Sequence, residues 1–214
     1  MTYAKKLSKI DALNFILVGV GGQGTILASN VLAALGLRLG YDVKKAEVHG
    51  MSQRGGSVTS HLRWGRQVFS PIVPAGEADY LLAFEKLEAA RFSASVRRDG
   101  TVLVNDHAIE PMTVFSGGPP YPDDRQVTAM LKAKTDNILQ VNGQGIAEEL
   151  GDQRTANMVM LGALSALMPI GPADWLAVIQ SAVPAKSVEV NHKAFMAGRN
   201  SVLKEQPAPV KPQA

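Results

Sequence analysis

The chain is 214 residues long, 46% hydrophobic and 19% charged, with a formal net charge of +3. Those proportions suit a globular chain with one sizeable core and exclude disorder as the main state. Cysteine is absent, which excludes disulfides, a thiolate-ligated iron–sulfur cluster and a cysteine zinc site, and allows a reducing, cytoplasmic setting.

Lys5, Lys6 and Lys9 precede an apolar run, Ala12 to Val20, in the manner of a signal peptide. Asn14 interrupts that run, and it ends in glycines that lead into a helix, so it reads as a strand. Asn14–Val18 is a short buried strand and Gly19–Gly24 a tight turn. Thr25–Leu39 carries apolar residues at 28, 31, 32, 35 and 39, one stripe of a helix. Gly36 is a flaw in it and Gly40 stops it.

Tyr41–Val48 is extended and Gly50–Gly56 is a loop. Ser57–Trp64 alternates, and Gly65-Arg66 suits a hairpin turn that returns as a strand over Gln67–Val73, an antiparallel addition to the sheet. Asp79–Phe84 is a buried strand, Glu85–Val96 a helix, Asp99-Gly100 a turn and Thr101–Asn105 a strand. Ser116–Asp124 is a Gly/Pro loop, followed by a helix over Arg125–Lys134 and a last strand, Asn137–Val141. A helix starts at 142–150, and the pattern is then helical over 154–168, 172–182 and 186–204. Strands alternating with helices predict an α/β fold, with a Rossmann-like, mainly parallel sheet, an added β-hairpin and a helical C-terminal third. A single domain is expected over 12–204, with a flexible, Pro-rich tail over 205–214.

The basic residues are scattered, so nucleic acid is not expected as a partner. His49, His61, His107 and His192 lie far apart, and no metal site is expected. Outside the first strand the longest apolar stretch, Met158–Ile170, falls short of the roughly 20 residues of a membrane span.

Gly19-Val20-Gly21-Gly22-Gln23-Gly24 has the G-x-G-x-x-G spacing between a strand and a helix. Glycines there let backbone approach a phosphate, and the helix N-terminus adds free N–H groups. Glu47 lies near the distance at which dinucleotide folds place a ribose-binding acid. The same glycines also serve a tight turn with no ligand, and both readings stay open.

The segment Glu47-Val48-His49-Gly50-Met51-Ser52-Gln53-Arg54-Gly55-Gly56-Ser57 is the most unusual in the chain. Arg54 is suited to fork onto a phosphate or carboxylate, and Gly55-Gly56 to form an anion-binding nest. A polar surface loop is the plain alternative. A loop after the second strand, however, lies on the sheet edge that holds the first glycine turn, where α/β folds bind ligands. Asn105-Asp106-His107 can reach the same edge, and Asn157 in its apolar helix needs a hydrogen-bond partner. No Ser elbow, Walker motif or catalytic dyad occurs in the sequence.

The order GVGGQG, then EVHGMSQRGGSV, then RTANMVMLGAL at 154–164 resembles the gamma subunit or domain of the 2-oxoacid:ferredoxin oxidoreductases. Within that family the chain looks closest to the small (beta) subunit of indolepyruvate:ferredoxin oxidoreductase. The Gly-x-x-Gln-Arg-Gly-Gly core, Gly50 to Gly56, is the specific part. The resemblance implies one subunit of a hetero-oligomer, inactive alone, assisting oxidative decarboxylation of a 2-oxoacid to an acyl-CoA. It implies that a larger partner carries thiamine diphosphate, Mg and iron–sulfur clusters, with coenzyme A as co-substrate and ferredoxin receiving the electrons. Substrate- and coenzyme A-side contacts are then expected from Glu47, His49, Ser52, Gln53, Arg54, Gly55 and Gly56. Gly19, Gly21, Gly22, Gln23 and Gly24 are expected to form the binding turn. The alternatives are a stand-alone dinucleotide-dependent oxidoreductase and a non-catalytic binding module.

Overall fold

A computed structural model describes residues 12–49 and 56–205, apart from the side chains of His49 and Glu205. The strands are β1 (Ala12–Val20), β2 (Asp42–His49), β3 (Ser57–Gly65), β4 (Ala78–Ala83), β5 (Val96–Asn105) and β6 (Ile138–Val141). The helices are α1 (Thr25–Arg38), α2 (Lys86–Phe92), α3 (Met112–Phe115), α4 (Asp124–Lys132), α5 (Gly143–Glu149), α6 (Ala156–Leu167), α7 (Pro172–Ala182) and α8 (Val188–Glu205). The tail expected over 205–214 lies outside the described residues, apart from Glu205, where the last helix ends.

The sheet has six strands in the order β2-β3-β1-β4-β5-β6. β1, β4, β5 and β6 pair in parallel, while β3 runs antiparallel to both β1 and β2. One face carries α1 and the C-terminal helices, packed on Phe15, Leu17, Leu62, Trp64 and Leu82. The other carries α2 and α4 against Ile16, Val18, Leu81, Val102 and Val104. The alternation in β1 serves both cores, which is why its run is apolar throughout.

Local chemistry sets the helix ends. The α1 stripe of Ala28, Val31, Leu32 and Leu35 is fully buried. Gly36, in that helix, lets Trp64 approach: a Cβ there would lie 2.5 Å from the indole Nε1. α4 starts in a capping box, with Asp123 accepting from the Gln126 N–H and Gln126 accepting from the Asp123 N–H. Pro172 opens α7 at a position where its missing N–H costs nothing.

Several expectations need correcting. The added hairpin is β2–β3, not 57–64 with Gln67–Val73. Residues 66–77 form an irregular strap, because side chains and prolines take the place of a ladder. The Val68 N–H goes to Asp42 Oδ2 (2.8 Å), the Ile72 N–H to Ser70 Oγ (3.3 Å) and the Val73 N–H to His61 Nδ1 (3.2 Å). Burial pulls the His61 pKa below its ordinary value, which keeps that ring nitrogen available as an acceptor. Asp99-Gly100 is no turn but part of β5, and the helix expected over 85–96 ends at Phe92 in a 3₁₀ turn, Ser93–Ser95. The short helix α3 was not expected from the sequence.

Candidate functional site

The carboxyl ends of β1, β4, β5 and β6 and the amino end of β3 meet at one edge of the sheet. Val20 pairs with Ser57 at the end of the β1–β3 ladder. Just beyond it the Gly21 N–H donates to the Gly56 carbonyl at 2.8 Å. The first glycine turn is therefore bonded directly to the end of the second glycine loop. Gly56 is the one residue of the Ser52–Gly56 group that the structure describes; Ser52, Gln53, Arg54 and Gly55 lie outside the described residues. His49 ends β2 on the same edge.

Gln23 holds the turn. Its Oε1 accepts from the Val20 N–H (2.7 Å), and its Nε2 donates to the Phe84 carbonyl (2.9 Å). Asn105 Nδ2 donates to the same carbonyl at 3.2 Å, and Asn105 Oδ1 accepts from the Gly143 N–H at 2.9 Å. Two carboxamides thus lace the ends of β1, β4 and β5 to the start of α5. Asn105 is buried and Gln23 half-buried, amides in such places need partners, and the two act here as struts. Gly24, the N-cap of α1, has φ 77°, and a Cβ on it would lie 2.4 Å from Asn157 Nδ2. Asn157 in α6 donates to the Gly24 carbonyl at 3.3 Å, which supplies the partner its apolar helix lacks.

Between these parts lies a pocket of about 210 Å³, lined among others by Gly22, Gln23, Phe84, His107, Gln153 and Arg154. α1 leaves β1 toward one face and α2 leaves β4 toward the other. The pocket thus sits where the chain direction switches, the place at which open α/β sheets bind ligands. Asp152 holds the exposed Arg154 guanidinium with two contacts of 2.8 Å. Asp106 is taken by Lys86 at 2.5 Å, and that ammonium holds its carboxyl below the usual carboxylate range. The sequence reading missed Gln144, Gln153 and Arg154 as pocket-lining residues; the polar Gln-Arg pair just before a mostly apolar helix was the available signal.

Beneath this edge, Glu85 caps α2, accepting from the Glu88 N–H at 2.9 Å. Its other oxygen accepts from the Ile109 N–H (3.1 Å) and from the Tyr121 hydroxyl. Burial, then the Glu85 hydrogen bond, raises the Tyr121 pKa well above its ordinary value. This buried knot ties the segment after β5 to the sheet edge.

Glu47 does not reach the glycine turn. β3 stands between β1 and β2, and the Glu47 carboxyl is bound by Lys45 at 2.6 Å. A dinucleotide fold needs its acid on the strand next to β1, so this arrangement speaks against the stand-alone dinucleotide enzyme. Among the described residues no group of His, Asp and Glu is placed to hold a metal ion, and no helix is long and apolar enough to cross a membrane.

The pyruvate ferredoxin/flavodoxin oxidoreductase family model matches residues 14–201. The indolepyruvate oxidoreductase subunit IorB of Archaeoglobus fulgidus is 36% identical over 92% of this chain and 99% of its own length. The IorB subunit of Pyrococcus horikoshii is 38% identical over 86% of this chain and 93% of its own. Among solved structures, the gamma subunit of a keto/oxoacid ferredoxin oxidoreductase from Geobacter sulfurreducens superposes with a TM-score of 0.66 at 25% identity, covering 90% of this chain and 99% of that one. The 2-oxoglutarate:ferredoxin oxidoreductase of Magnetococcus marinus, at 19% identity and a TM-score of 0.69, shares the fold over 94% of this chain and 32% of its own.

Proposed function

The chain belongs to the pyruvate ferredoxin/flavodoxin oxidoreductase family, and from that premise we propose that it is the small, gamma-type subunit of a cytoplasmic 2-oxoacid:ferredoxin oxidoreductase acting on indolepyruvate or another aryl pyruvate. Residues 12–204 form its single domain. The complex oxidatively decarboxylates the 2-oxoacid, passing the acyl group to coenzyme A and two electrons to ferredoxin. Thiamine diphosphate with Mg, and the iron–sulfur clusters, belong to a larger partner chain, where they supply the decarboxylation and the electron path. A chain without a single cysteine has no thiolate for such clusters, which supports this division.

The observation that carries the reading is the Gly21 N–H to Gly56 carbonyl bond. It delivers the end of the Gln53-Arg54-Gly55-Gly56 motif to the edge that also holds the glycine turn and the pocket. In this reading the chain contributes positioning and anion contact. Arg54 meets a phosphate or carboxylate of the incoming coenzyme A or 2-oxoacid, and Ser52, Gln53 and the Gly55-Gly56 backbone add polar contacts. Gly19–Gly24 forms one wall, kept in shape by Gln23.

Arg54→Ala in the assembled enzyme tests this. Loss of one charge-assisted hydrogen-bonding group raises the KM for coenzyme A or the 2-oxoacid by about 10- to 100-fold, with a smaller change in kcat. Arg54→Lys restores part of the loss. Steady-state constants equal to wild type in the alanine variant would remove the loop from the site.

A further inference from the structure

Two buried carboxylates stand at the start of α2: Glu85, its N-cap, and Glu88, 2% exposed. A buried charge is costly unless it is paired and hydrogen-bonded, so each calls for a role. Glu85 has one, since it caps the helix and ties down Tyr121 and Ile109. Glu88 lies three residues on, where the glutamate of a capping box turns back to the N-cap N–H. Its carboxylate goes elsewhere. One oxygen accepts from the Ser57 hydroxyl at 2.5 Å, and the other pairs with Arg91 Nη1 at 2.6 Å. Arg91 balances the charge, and the bond from Ser57 is charge-assisted, about twice as strong as a neutral one.

Ser57 opens β3 and directly follows Gly56, the last residue of the second glycine loop. The end of that loop is therefore held from two elements. The glycine turn holds it through the Gly21 N–H to Gly56 carbonyl bond, and α2 holds it through Glu88 and Ser57. The same stretch of α2 is bonded to the pocket as well, because the Lys86 N–H donates to the carbonyl of the pocket-lining His107 at 3.0 Å. α2 itself packs on β1, β4 and β5, so the brace stands on the sheet. One helix start thus fixes a pocket residue and the loop end relative to each other.

We propose that Glu88 is a positioning residue for the oxidoreductase reaction: through the Ser57 hydroxyl it fixes the end of the Gln53-Arg54-Gly55-Gly56 motif, and so holds Arg54 in register with its anionic partner. This role rests on the function proposed above.

The test is steady-state kinetics of the assembled enzyme, with Arg54→Ala showing which KM, for coenzyme A or for the 2-oxoacid, the loop controls. Ser57→Ala raises that same KM about 3- to 10-fold and changes kcat by less than about twofold. Ser57 is exposed, so the variant keeps the wild-type melting temperature. Ser57→Thr retains the hydroxyl and returns the KM toward wild type. Glu88→Ala raises the KM as Ser57→Ala does; if it does not fold, the serine variants decide. In the Arg54→Ala background Ser57→Ala adds less than about twofold, because it acts through that guanidinium. A wild-type KM in Ser57→Ala, no rescue by Ser57→Thr, or a loss that adds in full to that of Arg54→Ala overturns the positioning role and leaves the proposed function standing. Wild-type constants in Arg54→Ala itself overturn the proposed role of the loop, and that of Glu88 with it.

Discussion

Replacing Gly162 by alanine is expected to cost about 3 kcal/mol or more of stability, and to lower the melting temperature by roughly 6–12 °C. α6 is buried from Asn157 to Ser165 and crosses α8 at contact distance. A Cβ at Gly162 would stand 1.9 Å from the Phe195 carbonyl oxygen, and a Cβ at Gly198 would stand 1.9 Å from the Val159 carbonyl oxygen. Both obstacles are backbone, so no rotamer change relieves them and the helices must separate. Separation opens the cluster of Phe195, Trp175 and Val202 behind them. Because α6 also carries Asn157 onto Gly24, the shift reaches the glycine turn. Thermal and denaturant unfolding of Gly162→Ala and Gly198→Ala check this; a melt within a degree of wild type for both would show that the crossing has slack.

Glu85→Ala is the second large effect, expected at about 3 kcal/mol. The side chain is 1% exposed and accepts from the Glu88 and Ile109 N–H groups and the Tyr121 hydroxyl. Its loss uncaps α2, leaves those donors without their partner in a buried place and frees the segment between β5 and α4. Limited proteolysis of the variant should cut within residues 109–122 well before the rest of the domain. Glu85→Gln keeps an acceptor oxygen and should lie between the two. Equal protection in alanine variant and wild type would mean that Lys86, with Asp106 and Asp124, holds the segment unaided.

The strand–turn–helix at the start of the domain was legible because its signals are local: an apolar run, glycines, then a stripe at helical spacing. The strands after it and the three C-terminal helices follow the same logic. Strand order was not legible, since the insertion of β3 between β1 and β2 rests on pairings such as Leu17 with Ser60 that no periodicity encodes. That insertion is what separates Glu47 from the turn. Gln67–Val73 looks like a strand by composition, yet its N–H groups are taken by Asp42, Ser70 and His61. Gly162 passes for an ordinary small residue in an apolar helix until α8 is set beside it. Of the candidate site, the glycine turn was legible but its struts were not: Gln23 and Asn105 bond to carbonyls and N–H groups distant in the chain.

The central proposal is that this chain is one part of a two-part enzyme. The direct measurement is 2-oxoacid- and coenzyme A-dependent reduction of ferredoxin by the purified small chain, by the purified large chain and by the two recombined. Turnover by the recombined pair with indolepyruvate, and none by the small chain alone, is the expected result. Ferredoxin reduction by the small chain alone, or a large chain whose full activity is indifferent to it, would contradict the account.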